Sequence, residues 1–522
     1  MQSTDLVARF QSSAFPMPKL TKSIMVVGTT SHAGKSLITA AICRLLVRQG
    51  FNVTPFKGQN MALNAYITAD GKEMGHAQAV QAWAAKIEPR VEMNPILLKP
   101  QGDMTSQVIM MGEAVGKVQA ADYYRDYFDR GWAAITSCLD KLAAEFDYIV
   151  CEGAGSPAEI NLKHRDLTNM RVASYLQANT VLVADIDRGG VFAHIIGTLE
   201  LLEPAERALI KGFIINKFRG QRSLLESGIT WLEARTGIPV IAVIPMLEQV
   251  FPAEDSLDLL ERRSTKPNAE TTIGIIKFPR ISNFTDFDPL DGEPTVNLKY
   301  ITKPVEINSC DAIILPGSKT TIADLNWLQE QGIAAAIVNY YTNGGIVMGI
   351  CGGFQMLGKT IADPTGIEGI AGEYPGLNLL PLQTTITEVK TTRQRTTATK
   401  YPDRGMSIAG YEIHQGTTTW HADRTNIDNY EQLFTDDTLG MVDRHLALWG
   451  TYLHGIFDNS TWRRNWLNQI RTHKNLAPLT TQVIDYASQR DEIFDKLADS
   501  IGEYLDLAPL LNSQSGNQSH YR

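Results

Sequence analysis

Two stretches of this 522-residue chain place chemically capable residues where a strand gives way to a helix. The first runs from Met25 to Ser36, Met-Val-Val-Gly-Thr-Thr-Ser-His-Ala-Gly-Lys-Ser. Ile24 to Val27 is an apolar, largely β-branched run that predicts a buried strand, and Leu37 to Arg48 has helical periodicity closed by Gly50. A glycine-bearing turn between them can offer backbone N–H groups and the positive end of a helix to a polyphosphate. Lys35 can reach terminal phosphates and Ser36 can ligate Mg²⁺, with Thr30 and Gly34 shaping the nucleotide loop. The second stretch is Gly345-Ile-Val-Met-Gly-Ile-Cys351-Gly-Gly-Phe-Gln-Met-Leu-Gly358. A hydrophobic strand stops at a cysteine flanked by glycines, and an apolar helix begins at once. A thiol on such an elbow projects from the strand end, where the helix N-terminus favours its thiolate and backbone N–H groups can stabilise an oxyanion.

A cysteine nucleophile needs a base that is distant in sequence and close in space. His454 ends the apolar run in Leu448-Trp-Gly-Thr-Tyr-Leu-His454 and is the first candidate; His414, in the polar segment Tyr411-Glu-Ile-His414-Gln, is its rival. Glu152 follows the predicted strand Phe146 to Cys151, the position where a phosphate-loop protein keeps a carboxylate for magnesium or water. Lys57, Gln59 and Asn60 lie in a donor-rich loop, Lys57 to Asn64, that either meets a polar substrate or is a solvated turn. Asn216 and Lys217 follow another strand and could contact a purine.

The elements that must position these residues alternate. Predicted strands at Asn52–Phe56, Phe146–Cys151, Thr180–Ala184, Gly212–Ile215 and Val240–Ile244 are separated by helical segments, which indicates an α/β fold, a doubly wound parallel sheet with functional residues at its carboxyl edge. A second α/β unit starts at the strand Thr272–Lys277 and continues through Ala312–Leu315 and the cysteine elbow. The expected organisation is an extension over residues 1–20, a phosphate-loop unit over 21–261, a linker over 262–271, a second unit of flavodoxin-like α/β type over 272–506 and a flexible tail over 507–522.

Bulk composition narrows the class. The net charge of −9 argues against a sequence-independent nucleic-acid binder, which needs a basic face. The five cysteines form neither a Cys-x-x-Cys pair nor a dense framework, as expected in a reducing cytoplasm. No apolar run approaches the roughly 18 residues of a membrane span, and the N-terminus lacks a secretory pattern.

Several longer stretches, taken together, are more specific than any one loop. They are Phe56-Lys-Gly-Gln-Asn-Met-Ala-Leu-Asn64, Glu152-Gly-Ala-Gly-Ser-Pro-Ala-Glu-Ile-Asn161, Ala184-Asp-Ile-Asp-Arg-Gly-Gly-Val-Phe192, Asn216-Lys-Phe-Arg-Gly220, Gly349-Ile-Cys-Gly-Gly-Phe-Gln355 and Gly450-Thr-Tyr-Leu-His-Gly-Ile-Phe-Asp458. In this order they resemble the cobyric acid synthase family, in which a dethiobiotin-synthetase-like ATP-binding domain is fused to a class I-like glutamine amidotransferase domain. The resemblance implies ATP- and Mg²⁺-dependent amidation of four carboxylates of adenosylcobyrinic acid a,c-diamide, with L-glutamine as nitrogen donor. It implies Cys351 as nucleophile and His454 as base, Lys35 and Ser36 as phosphate and Mg²⁺ ligands, and Asp70 and Glu152 as acidic metal ligands. Backbone donors at Gly352 and around Gly317 are the candidates for the oxyanion hole. The wider class carries a glutamate two residues after the histidine, where this chain has Ile456, so the third member of the site stays open between none, Glu412 and Asp458. Two alternatives share parts of the pattern: cobyrinic acid a,c-diamide synthase, and a ParA- or MinD-like ATP switch, which would need a signature lysine where Thr30 stands.

Overall fold

The computed structural model describes residues 21–102, 105–247, 266–422, 427–445 and 447–511; the expected extension, the start of the expected linker and the end of the tail fall outside these residues. The strand that enters the phosphate loop, Lys22–Gly28, is central in a six-stranded parallel sheet. In spatial order the strands are Val240–Pro245, Ile210–Phe218, Asn179–Asp185, Lys22–Gly28, Tyr148–Glu152 and Val53–Phe56. Ile24, Met25, Val26 and Val27 are all fully buried because both faces are covered. Met25 and Val27 pack with Ile135 and Leu139 on one side, and Ile24 and Val26 with Ile38 and Ile42 of the helix Lys35–Arg48 on the other.

That second face also takes Phe494, Leu497, Ile501, Leu507 and Leu510. The expected boundaries are corrected here: the helix Tyr486–Gly502, placed by sequence in the second unit, lies on the first, and Ala508–Leu511 is a turn of helix anchored by the buried Leu507 and Leu510 rather than tail. Its apolar positions recur at helical spacing, Asp485 caps it through Ser488 N at 2.9 Å, and buried Arg44 reaches out to Asp491 and over the Phe494 ring. Arg48 adds ion pairs to Asp495 and Asp499 at 2.9 and 2.6 Å.

The second sheet has seven strands in the order Val296–Ile301, Thr271–Ile276, Ala312–Leu315, Ile346–Ile350, Leu448–Thr451, Gly440–Asp443 and Tyr430–Gln432. The first five are parallel and the last two antiparallel, so the strands that end at Cys351 and just before His454 are neighbours. A long hairpin, Leu382–Ala398 paired with Ser407–Trp420, extends to the first unit. Tyr411 and Ile413 from it share an apolar cluster with Ala65, Ile67, Leu97 and Ile109, and Lys390 pairs with Glu73. Among the described residues no helix is long and apolar enough to cross a membrane, and all five cysteines are free and buried.

Candidate active site

Cys351 sits at the junction of the strand Ile346–Ile350 and the helix Gly352–Leu357 with φ 53° and ψ −110°. A non-glycine residue held there stores roughly 1–3 kcal/mol of strain, which the surroundings must impose. They do so by close packing: a Cβ at Gly353 would collide with the Leu315 carbonyl, and one at Gly349 would come within 2.7 Å of Gly353. Cys351 N is fixed to Thr451 O at 2.8 Å, while its sulfur lies 3.4 Å from Ile413 O.

His454 is fully buried. Its Nδ1 lies 2.7 Å from Asp286 Oδ2, and the other oxygen of Asp286 accepts Gly455 N at 3.0 Å. Burial alone would lower the imidazole pKa, but the Asp286 charge and hydrogen bond, together with hydrogen bonding to the Cys351 sulfur, push it up to about 10. Asp286 is therefore the carboxylate that orients His454, a place the sequence reading left between none, Glu412 and Asp458. Glu412 serves Arg393, Arg395 and His414 instead. Asp458 faces a cavity that Asp286, Tyr486 and Arg490 also line, and burial raises its carboxyl to about 6. Asp286 lies in a short helical turn, Phe284–Phe287, entered through Asn283 at φ 52°.

Cys351 opens into a chamber of about 40 Å³ lined by Asn283, Ser318, Lys319, Gln355, Lys390 and His414 among others. The structure thus brings both histidines to the thiol's surroundings, each with a carboxylate partner, Asp286 at 2.7 Å from His454 and Glu412 at 3.3 Å from His414, but it is His454 that hydrogen-bonds to the thiol. His414 stacks on Tyr452 with ring centroids 3.9 Å apart. Gly352 opens the helix, and Gly317 packs against Ser282 and His454, with room for a Cβ only at 3.1 to 3.2 Å from both.

In the first unit, Lys35 Nζ bridges the carbonyls of Thr30 and Gly155 at 3.0 and 3.1 Å. Gly34 caps the helix at φ 98°, and Asn216 braces the loop from behind by donating to Ala33 O at 2.9 Å. A Cβ at Gly34 would strike that amide. Ser36 Oγ is 2.8 Å from Glu152 Oε1, which also accepts Lys57 Nζ at 2.9 Å; Gln81 donates to the other oxygen. Lys35, Lys57, Gln59, Asn60 and Glu152 line one cavity of about 730 Å³, so the loop over 57–64 is a cavity wall and not a solvated turn. Lys57 is held by Glu152, and Asn60 by Gln78 at 3.1 Å. A hydroxyl and a buried carboxylate side by side beneath a phosphate loop suit Mg²⁺, which takes few protein ligands and completes its shell from phosphates and water. Asp70 is not brought there. It is exposed at the tip of the hairpin Ala65–Ile67 and Glu73–Gly75, bonded to Thr68, because the turn Asp70-Gly71 closes that hairpin.

A phosphate loop and a Cys-His-Asp elbow in one chain define a nucleotide-dependent glutamine amidotransferase, and comparison with known proteins agrees. Residues 24–259 match the model of the CobQ/CobB/MinD/ParA nucleotide binding domain, and residues 272–462 that of the CobB/CobQ-like glutamine amidotransferase domain. The chain is 64% identical over 496 residues to the cobyric acid synthase of Acaryochloris marina, covering 94% of this chain and 99% of that one. It is 62% identical over 490 residues to the cobyric acid synthase of Nostoc sp., again over 94% and 99%. The chain belongs to the cobyric acid synthase family, and it is an ATP-dependent, glutamine-hydrolysing amide ligase.

Proposed function

We propose that the chain amidates the b, d, e and g carboxylates of adenosylcobyrinic acid a,c-diamide to give adenosylcobyric acid, in the cytoplasm, where its scattered thiols stay reduced. One observation carries the mechanistic part of this reading: consecutive residues of one turn face the two cavities, Asn283 the Cys351 chamber and Phe284 the phosphate-loop cavity. The turn is pinned to the first unit by Asn64 Oδ1, which accepts Phe284 N, and by Ala65 N, which donates to Asn283 Oδ1, each at 3.1 Å.

In this mechanism His454, oriented by Asp286, takes the proton of Cys351. The thiolate attacks the glutamine carboxamide, and N–H groups at Gly352 and near Gly317 hold the oxyanion. His454 then protonates the departing nitrogen, ammonia leaves, and water hydrolyses the thioester to glutamate. In the first unit Lys35 and the loop amides hold the ATP phosphates while a corrinoid carboxylate takes the γ-phosphoryl group and ADP leaves; ammonia then attacks the acyl phosphate, expelling inorganic phosphate and a proton and leaving the amide. Ser36 and Glu152 would hold Mg²⁺, which supplies charge neutralisation at the phosphates. Lys57, Gln59 and Asn60 face the space left for the substrate.

Mass spectrometry of products tests the substrate. Incubation of the a,c-diamide with ATP and glutamine yields a species with four added amides. Amidation of unmodified cobyrinate at two positions, with the a,c-diamide left unchanged, would assign the chain to the a,c-diamide synthase reaction instead.

A further inference from the structure

The Cys351 chamber, at about 40 Å³, has room for little more than the carboxamide end of a glutamine. Beyond it lies an outer cavity of about 360 Å³, lined by Gln101, Thr105 and Lys117 of the first unit and by Gly366 to Gly369 of the second. Three residues line both spaces: Lys319, Glu368 and Gln415. They form the throat between entrance and thiol. A glutamine whose amide has reached Cys351 leaves its α-ammonium and α-carboxylate at this throat.

The charges there suit such a head group. Buried Glu73 is held between Lys99, at 2.8 Å, and Lys390, so this trio carries one positive charge in excess. Lys319 adds another, and its hydrogen bond goes to the neutral Gln107 Oε1 of the first unit at 2.7 Å. Glu368 accepts the backbone N of Ile322 at 3.0 Å. Among the described residues Lys319 and Glu368 form no ion pair with each other within 4 Å, although both line the same throat. Burial and the nearby Lys99 and Lys390 bring the Lys319 ammonium down to about 7, and burial brings the Glu368 carboxyl up to about 7. Each lacks a full counter-charge, and a zwitterion between them supplies both.

Resting on the glutaminase reading above, we propose that Lys319 and Glu368 are the specificity residues for glutamine, Lys319 holding its α-carboxylate and Glu368 its α-ammonium, in a throat completed by the first unit through Gln107 and Lys99.

The test uses the full chain, with ammonia release measured on three amides: glutamine, 4-carbamoylbutanoate, which lacks the α-amino group, and 4-aminobutanamide, which lacks the α-carboxylate. Glu368→Gln raises the KM for glutamine at least tenfold with kcat changed by less than threefold, and leaves KM for 4-carbamoylbutanoate unchanged. Lys319→Gln raises KM for glutamine and for 4-carbamoylbutanoate, and leaves that for 4-aminobutanamide unchanged. This crossed pattern cannot arise from misfolding, which would depress all three amides alike. An equal effect on all three, the reversed pattern, or no change with glutamine overturns the assignment. Failure of the unaltered chain to hydrolyse glutamine would overturn the glutaminase reading itself.

Discussion

At the residue scale the account rests on what each side chain gains from its neighbours. The Asp286 carboxylate and hydrogen bond and the Cys351 sulfur raise the His454 imidazole to about 10 against burial, so the imidazolium formed when the ring takes a proton is stabilised across neutral pH. The sign follows for stability: the folded pKa lies above the ordinary 6.5, so the contribution is complete below 6.5 and is lost as pH rises through about 10. Asp286→Asn removes the main support of the imidazolium. Glutaminase kcat should fall by on the order of 10²–10⁴-fold, and the alkaline limb of the kcat/KM profile should move to lower pH. An unchanged profile measured to pH 10 would deny Asp286 its role. The two histidines separate in the same assay: His454→Ala lowers turnover by orders of magnitude, whereas His414→Ala, which removes a ring stacked on Tyr452, chiefly changes KM. Cys351 and His454 were legible in sequence because each ends an apolar strand. Asp286 was not, because it is 168 residues from His454 in a loop with no periodicity, and only the fold brings them together.

At the scale of elements, the elbow depends on the absence of side chains. Gly353→Ala would drive a methyl group into the Leu315 carbonyl, and neither the helix start nor the central strand can move away. The expected loss is roughly 1–3 kcal/mol in urea unfolding, with glutaminase activity falling further because the nucleophile shifts. Near-wild-type stability and turnover would mean that the strained elbow is not required. The six-stranded parallel sheet and the cysteine elbow could be read from apolar runs and glycine punctuation. The docking of the helix Tyr486–Gly502 could not: its apolar stripe shows that it packs, not on which unit, and its partner face begins with Arg44, more than 400 positions earlier. Asp70 misled for a related reason. An Asp-Gly turn looks the same at a metal site and at a hairpin tip, and pairing of Ala65–Ile67 with Glu73–Gly75 decides it.

At the scale of the whole molecule, the two units are joined by charge as well as by apolar contact. Lys390 and Lys99 hold the buried Glu73 carboxyl well below the usual range despite its desolvation. This contribution is present above the ordinary 4.5 and is lost as acid protonates the group. Glu73→Gln leaves two buried ammonium groups without their counter-ion, at a cost of about 3–5 kcal/mol. Limited proteolysis should show the variant's units separating at lower denaturant than those of the parent; indistinguishable patterns would remove the cluster from the interface. The central claim is that the second unit supplies nitrogen which the first unit installs. Corrinoid amidation by Cys351→Ser, measured side by side with glutamine and with ammonium as nitrogen source, tests it most directly. The account predicts no product with glutamine and continued synthesis with ammonium, because neither Cys351 nor His454 lines the phosphate-loop cavity; synthesis from glutamine, or loss of both activities in a folded variant, would contradict it.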